Sequence, residues 1–338
     1  KKTTKIVCMA PTGKAAKRLA EQVGRRASTI HSLMDYDEKE HLLTPKPLDC
    51  DICIVDEMSM VDMFLFQDIL TMVSAGVRLV LVGDPDQLPS IGPGQVFYDL
   101  INESKIASFK LHTNHRQVNQ RGIVSLAQMI LKREPVYTPL GDDVSLVSEQ
   151  NPDVLEQKIN QLFLTTAPNQ HQLSIHDIQL LVPLHKGRFG IDQVNRNIAQ
   201  QIRPIELRSE RWAVGDRVMQ CRNNYTKRVM NGDIGLIHAI KPNEIVIRFD
   251  HRLIDYEYTD MDDIRLAYAV SVHKFQGSEA PIIIMPIIRQ WKFFMTMDVL
   301  YTAITRAKKH LYIIGELDVF NEMISNSKHT QRLTRLFQ

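Results

Sequence analysis

Two adjacent carboxylates, Asp56 and Glu57, follow the apolar run Ile52-Cys53-Ile54-Val55. A buried strand that ends in carboxylates delivers them to the carboxyl edge of an open α/β sheet, where ligands bind. Asp56 suits a magnesium ion held through its water shell, and Glu57 suits orienting or deprotonating an attacking water. Acidic residues also close many strands without doing chemistry, so this pair alone leaves that reading open. A second apolar run, Val80-Leu81-Val82, enters the turn Gly83-Asp84-Pro85-Asp86-Gln87-Leu88-Pro89 and brings polar groups to the same edge. The Gln87 amide can bond a phosphate oxygen and a polar neighbour at once, and so report the state of a nucleotide.

The elements that must position these groups follow from periodicity. Ile6-Val7-Cys8-Met9-Ala10, Ile52 to Val55 and Val77 to Val82 are β-branched runs bounded by turn residues. They suit strands buried on both faces of a parallel sheet. Helical patterns lie between them, from Lys14 to about Val23 and from Val61 to about Ser74, and the alternation argues for a doubly wound α/β domain. A second such pattern follows. It has strands at Ile178 to Leu184, Ala267 to Val272, Pro281 to Ile287 and Leu311 to Gly315, with helices at Ile191 to Ile202 and Met297 to Lys309. Residues 205–263 differ: they hold Asn231-Gly232-Asp233 and short β-rich runs such as Glu244 to Phe249, which predict a small barrel inserted into the second domain. The expected organisation is therefore 1–113, 114–204, 205–263 and 264–338.

Composition bounds the function classes. With 338 residues, 44% hydrophobic and 24% charged, the chain is an ordinary globular protein of two or three domains. A net charge of +2 announces no nucleic-acid binder, so any such face must come from local clusters. Lys14, Lys17, Arg18, Arg25 and Arg26 form one cluster, and Arg217, Arg222, Lys227 and Arg228 another; both read as solvated faces. Cys50 and Cys53 have metal-ligand spacing, but no second pair accompanies them and Cys53 sits in a strand run. No secretory or membrane-length apolar segment is visible, which predicts a cytoplasmic protein without a membrane partner.

Six segments carry a resemblance, in this order. Ala10-Pro11-Thr12-Gly13-Lys14-Ala15-Ala16 resembles helicase motif Ia, the Asp56-Glu57 segment motif II, and Gly83-Asp84-Pro85-Asp86-Gln87 motif III. Asn114-His115-Arg116-Gln117 resembles motif IV, Ser271-Val272-His273-Lys274-Phe275-Gln276-Gly277-Ser278-Glu279 motif V, and Tyr301-Thr302-Ala303-Ile304-Thr305-Arg306-Ala307 motif VI. Their wording and order resemble RecD-like helicases of superfamily 1, the family of the exonuclease V alpha subunit, over residues 6 to about 315.

The resemblance implies two RecA-like parallel-sheet domains with an SH3-like insert in the second. It implies an ATP- and Mg2+-dependent motor moving 5′ to 3′ on single-stranded DNA, acting at duplex junctions, with recombination or repair subunits as the partners to expect. Asp56 would hold the magnesium, Glu57 and Gln87 would serve hydrolysis, and Arg116 and Arg306 would be arginine fingers for the γ-phosphate charge. Gly277 and Glu279 would lie near the nucleotide sugar. Pro11, Thr12, Lys14, Thr29, His31, His273 and Lys274 would meet DNA, with helix capping or packing as the alternative role for each.

Two departures accompany it. The family's phosphate loop precedes motif Ia, whereas this sequence has no glycine before Gly13, so the chain alone is expected to fold without binding ATP tightly or unwinding DNA. The stretch from His31 to Leu48 is short for the strand-splitting β-hairpin the family places there. The competing readings are a relaxase-linked or RNA-acting helicase of the same superfamily, and a nucleic-acid-binding scaffold that does not hydrolyse ATP.

Overall fold

The computed structural model describes residues 3–37, 42–111, 121–137, 140–208, 210–224, 226–326 and 332. The chain divides into two compact units: Lys1–Asn114 with Gln276–Ser278 and His329–Gln338, and His115–Phe275 with Glu279–Lys328.

The first unit runs β1 (Ile6–Ala10), α1 (Gly13–Val23), β2 (Ala27–Thr29), β3 (Asp35–Asp37), β4 (Leu42–Thr44), β5 (Ile52–Val55), α2 (Met63–Met72), β6 (Arg78–Leu81) and α3 (Val96–Asn102). Its main sheet has the order β2-β1-β5-β6, with every pair parallel. Met9, Cys53, Val55, Phe66, Ile69 and Met72 form the core between this sheet and its helices. Burial there pushes the Cys53 thiol up to about 12, which disfavours the thiolate a metal ligand needs. α1 begins where the Thr12 hydroxyl accepts the Ala15 N–H at 3.2 Å, and it stops at Gly24, whose φ of 63° is left-handed. β6 corrects one expectation: among the described residues it lies at the edge of the sheet, and Val80 and Val82 are 38% and 44% exposed instead of buried on both faces. β3 and β4 form a separate antiparallel pair, Asp35 opposite Thr44, whose connecting residues lie outside the described ones.

The second unit runs α4 (Arg121–Lys132), β7 (Val144–Ser148), α5 (Pro152–Gln161), α6 (Ala167–His171), β8 (Ile178–Leu181), α7 (Ile191–Ile202), β9 (Arg217–Gln220), β10 (Ile234–Ile240), β11 (Glu244–Phe249), β12 (Arg252–Glu257), β13 (Ile264–Leu266), β14 (Ala269–Val270), β15 (Ala280–Ile287), α8 (Met297–Ile304), β16 (Ala307–Gly315) and α9 (Leu317–Asn326). A parallel sheet of order β14-β8-β15-β16-β7 forms its base. β15 is central and apolar on both faces, as a covered parallel strand must be. The expected helix to Lys309 ends five residues earlier, at Ile304, because Ala307–Gly315 pairs as a strand.

The insert is a five-stranded antiparallel sheet of order β12-β11-β10-β9-β13. Its end strands, β12 and β13, do not pair with each other among the described residues, so closure of the expected barrel is not seen there. Val218, Ile237, Ile245, Ile247 and Tyr256 form its buried core. Strand β13 extends its hydrogen bonding past residue 263.

Two arginines fasten the insert to the base. Arg203, at the end of α7, makes a two-pronged ion pair with Asp216, with Nε to Oδ1 at 3.0 Å, and both residues are buried. The Ala213 N–H and the Tyr268 hydroxyl also donate to Asp216. Arg217 donates to the carbonyls of His176 and Ile178 and to Gln179 Oε1, so it is a buried tie to β8 and not part of a solvated basic face.

Candidate nucleotide and nucleic-acid site

Because β1, β2, β5 and β6 are parallel, their carboxyl ends share one edge. The register places Ala10 beside Thr29, Met9 beside Val55 and Val55 beside Leu81. Thr29 ends β2, and the segments that follow the other strands carry Pro11, Thr12, Lys14, Asp56, Glu57 and Gln87, so the sheet gathers them along that edge.

Asp56 is half-buried directly beyond β5, and its Oδ1 accepts the Glu57 N–H at 2.9 Å. Glu57 is buried and has φ 55° and ψ 43°, a left-handed conformation that an ordinary L-residue adopts at a cost. The cost is held in place from both sides: the Asp56 bond fixes the preceding turn, and the Met58 N–H donates to the Val82 carbonyl at 3.0 Å. The turn after β6 packs beside this point, where a Cβ on Gly83 would stand 3.1 Å from the Met58 nitrogen. In that turn Gln87 Nε2 donates to Asp84 Oδ2 at 3.3 Å, and Asp84 Oδ1 accepts the Asp86 N–H.

Two residues of this edge escaped the sequence reading. Arg18, on α1, brings Nη2 to 4.0 Å from Glu57 Oε1, although its cluster read as a solvated face. Ser59 has a buried hydroxyl with no hydrogen-bond partner. Ser59 follows Glu57 by two residues, but nothing in its residue type signals an unmet polar atom.

The DNA-assigned residues divide. Thr12 caps α1, Thr29 Oγ1 accepts the Ser32 N–H, and His31 opens the short turn after β2. Burial holds the His31 imidazole below its usual range, opposed by Asp68 and Asp62. Gly277, in the segment that clusters with the first unit, is buried with φ 68°; a Cβ there would lie 2.9 Å from Thr12 Oγ1. Neighbouring Gln276 donates to the Leu88 carbonyl at 2.9 Å.

In the second unit, His273 is exposed, and Lys274 is half-buried with Nζ on Asn231 Oδ1. Glu279 pairs with Lys308 at 3.0 Å. Arg306 is buried between α8 and β16; its Nε donates to the Thr302 carbonyl, and its own carbonyl accepts the Ala280 N–H. Glu279 and Arg306 thus share the amino edge of the second sheet. Arg116, with the rest of its Asn114–Gln117 segment, lies outside the described residues. Among the described residues no helix is long and apolar enough to cross a membrane, and no three His, Cys, Asp or Glu side chains converge as a metal cage.

Three protein-family models match the chain in order: an AAA domain over residues 1–93, the ATP-dependent RecD-like DNA helicase SH3 domain over 192–249, and the UvrD-like helicase C-terminal domain over 266–314. Among relatives, the ATP-dependent RecD2 DNA helicase of Deinococcus radiodurans is 30% identical over 315 residues, covering 90% of this chain and 42% of its own length. The RecBCD enzyme subunit RecD of Mycolicibacterium smegmatis is 27% identical, covering 93% of this chain and 62% of its own. The chain therefore spans between two fifths and two thirds of these relatives. A Pif1 helicase structure described as unwinding forked double-stranded DNA shares the fold at a TM-score of 0.50 and 20% identity, over 93% of this chain and 82% of that one. With matches in sequence to an AAA domain, a RecD-type SH3 domain and a UvrD-like helicase C-terminal domain, the chain is similar to the RecD-like helicases.

Proposed function

We propose that this chain is the motor core of an ATP-dependent DNA helicase that tracks along single-stranded DNA from 5′ to 3′. The observation that carries the reading is Glu57, buried in a left-handed conformation directly after Asp56 and beside the Gln87 turn. Backbone strain held by neighbouring hydrogen bonds marks sites where a side chain must be aimed.

The residues fit a magnesium nucleotide. Magnesium takes one or two carboxylates, and phosphate oxygens with waters supply the remainder. Asp56 is half-buried with one oxygen turned to its own turn, which suits that sparse protein share. When bound, the ion would neutralise phosphate charge. Glu57 would orient the attacking water, and Gln87 would sense the γ-phosphate. Arg116 and Arg306 would stabilise the transition state, with Gly277 and Glu279 beside the sugar. Pro11, Thr12, Lys14, Thr29, His31, His273 and Lys274 would track the phosphate backbone without reading bases. The domain division adopted is 1–113, 114–204, 205–263 and 264–338.

Strand displacement by the full-length protein tests the reading, using matched DNA duplexes with a 5′ or a 3′ single-stranded tail and their RNA counterparts. Unwinding confined to the 5′-tailed DNA is expected. Unwinding of the RNA duplex instead would establish the RNA-acting alternative, and strand binding without ATP turnover would establish the scaffold.

A further inference from the structure

Residues 88–95 connect the Gln87 turn to α3 without helix or strand, and two of them, Pro89 and Pro93, lack an N–H. Their main-chain carbonyls therefore need donors from elsewhere. Gln276 serves that of Leu88, and the Met63 N–H serves that of Pro93 at 3.0 Å. Three more converge on one side chain. Arg332 Nη1 donates to the carbonyls of Gly92 at 2.6 Å and Gly94 at 3.0 Å, and its Nη2 donates to that of Ser90 at 2.5 Å.

Arg332 lies beyond the end of α9, some 240 residues downstream of the loop, and both belong to the first unit. It is half-buried, and these three acceptors are neutral, so it holds the loop as a planar fork of N–H donors and not as a counter-charge. The same loop is packed closely on Asp62. A Cβ on Gly92 would stand 1.9 Å from Asp62 Oδ2, and Asp62 caps α2 by accepting the Leu65 N–H at 2.8 Å. Loss of the guanidinium would take a shared donor from three carbonyls at once, directly after Gln87. That side chain is otherwise steadied by its 3.3 Å bond to Asp84.

We propose that Arg332 is a positioning residue for nucleotide turnover: it clasps the loop that follows Gln87 and so fixes where the Gln87 amide points. The proposal rests on the reading of Gln87 as the γ-phosphate sensor, and it adds a residue that lies outside all six motif segments. The C-terminal tail thereby becomes a working part of the first unit's nucleotide edge.

The test has a structural and a kinetic arm, both on the full-length protein. Hydrogen exchange read by mass spectrometry, without nucleotide, follows the amides of the loop. Arg332→Ala is expected to speed exchange there by about 5–10-fold, the scale of a lost hydrogen bond, while peptides from β1 and β5 keep the parental rate. In DNA-stimulated ATP hydrolysis the same variant should lower kcat by about 10–100-fold, with binding of a non-hydrolysable ATP analogue little changed. Arg332→Lys should recover only part of the loss, and ethylguanidinium added to the alanine variant should restore turnover saturably. In a Gln87→Ala background, Arg332→Ala should cost no further turnover, because residues that act as one unit are not additive.

Unchanged exchange in the loop of the alanine variant overturns the clasp. Faster exchange with an unchanged kcat, or losses that simply add in the double variant, overturns the positioning role while the nucleotide reading stands. A parent protein without ATP turnover overturns that reading and the proposal together.

Discussion

Nη2 of Arg18 lies 4.0 Å from Oε1 of Glu57, a cation on the first helix facing the strained carboxylate at the end of β5. Arg18 is largely buried, so solvent screens this pair less than it would an exposed one. The guanidinium limits where the carboxylate can swing.

Arg18→Ala is therefore expected to lower kcat for ATP turnover by on the order of 10–100-fold, the scale of a catalytic group misplaced by about an ångström. The KM for ATP should stay within about twofold, because the group acts through Glu57 and not on substrate. Arg18→Lys should recover part of the loss. Steady-state kinetics on the three proteins decide it, and an unchanged kcat in the alanine variant contradicts the positioning role.

The Arg203–Asp216 pair should matter for stability alone. Asp216→Ala would leave Arg203 buried and unmatched, which typically costs about 3–5 kcal/mol. Thermal unfolding of the full-length variant should show the second unit melting well below the parent, with nucleotide affinity retained. A loss under about 1 kcal/mol would mean that water replaces the carboxylate.

Acid should loosen the second unit through His310. Burial, with neighbouring His171 adding and Asp143 opposing, lowers its imidazole to about 4 from 6.5. The unfolded chain takes up a proton near pH 6.5, whereas the folded unit takes it up only near pH 4. The stability linked to His310 is thus whole above pH 6.5 and lost as pH falls toward 4, up to about 3 kcal/mol. Urea midpoints measured from pH 7.5 to 4.5 should fall accordingly, and His310→Gln should flatten that dependence. A parent midpoint that holds level across the range contradicts the assignment.

Much of the site was legible in the residues. A β-branched run ending in Asp56-Glu57, and a second ending in Gly83-Asp84, predicted that these groups meet at one edge, and parallel pairing of β5 with β6 brings them there. The Glu57 conformation was not legible, because φ depends on the tertiary bonds that flank it. Arg18 and Arg217 were misread for a common reason: an arginine within a basic cluster looks solvated unless the partner is known, and their partners are 39 and 38 residues away, at Glu57 and Gln179. Exposure of β6 was hidden because Val80 and Val82 are apolar whether a strand is central or at the edge.

The central claim is that Glu57 activates the water that splits ATP. The most direct measurement is DNA-stimulated ATP hydrolysis by full-length Glu57→Gln beside the parent, paired with the binding of a non-hydrolysable ATP analogue. The account predicts turnover reduced by about 10²–10⁴-fold with analogue affinity within a few-fold of the parent. Turnover near the parental rate, or loss of analogue binding in step with turnover, would contradict it.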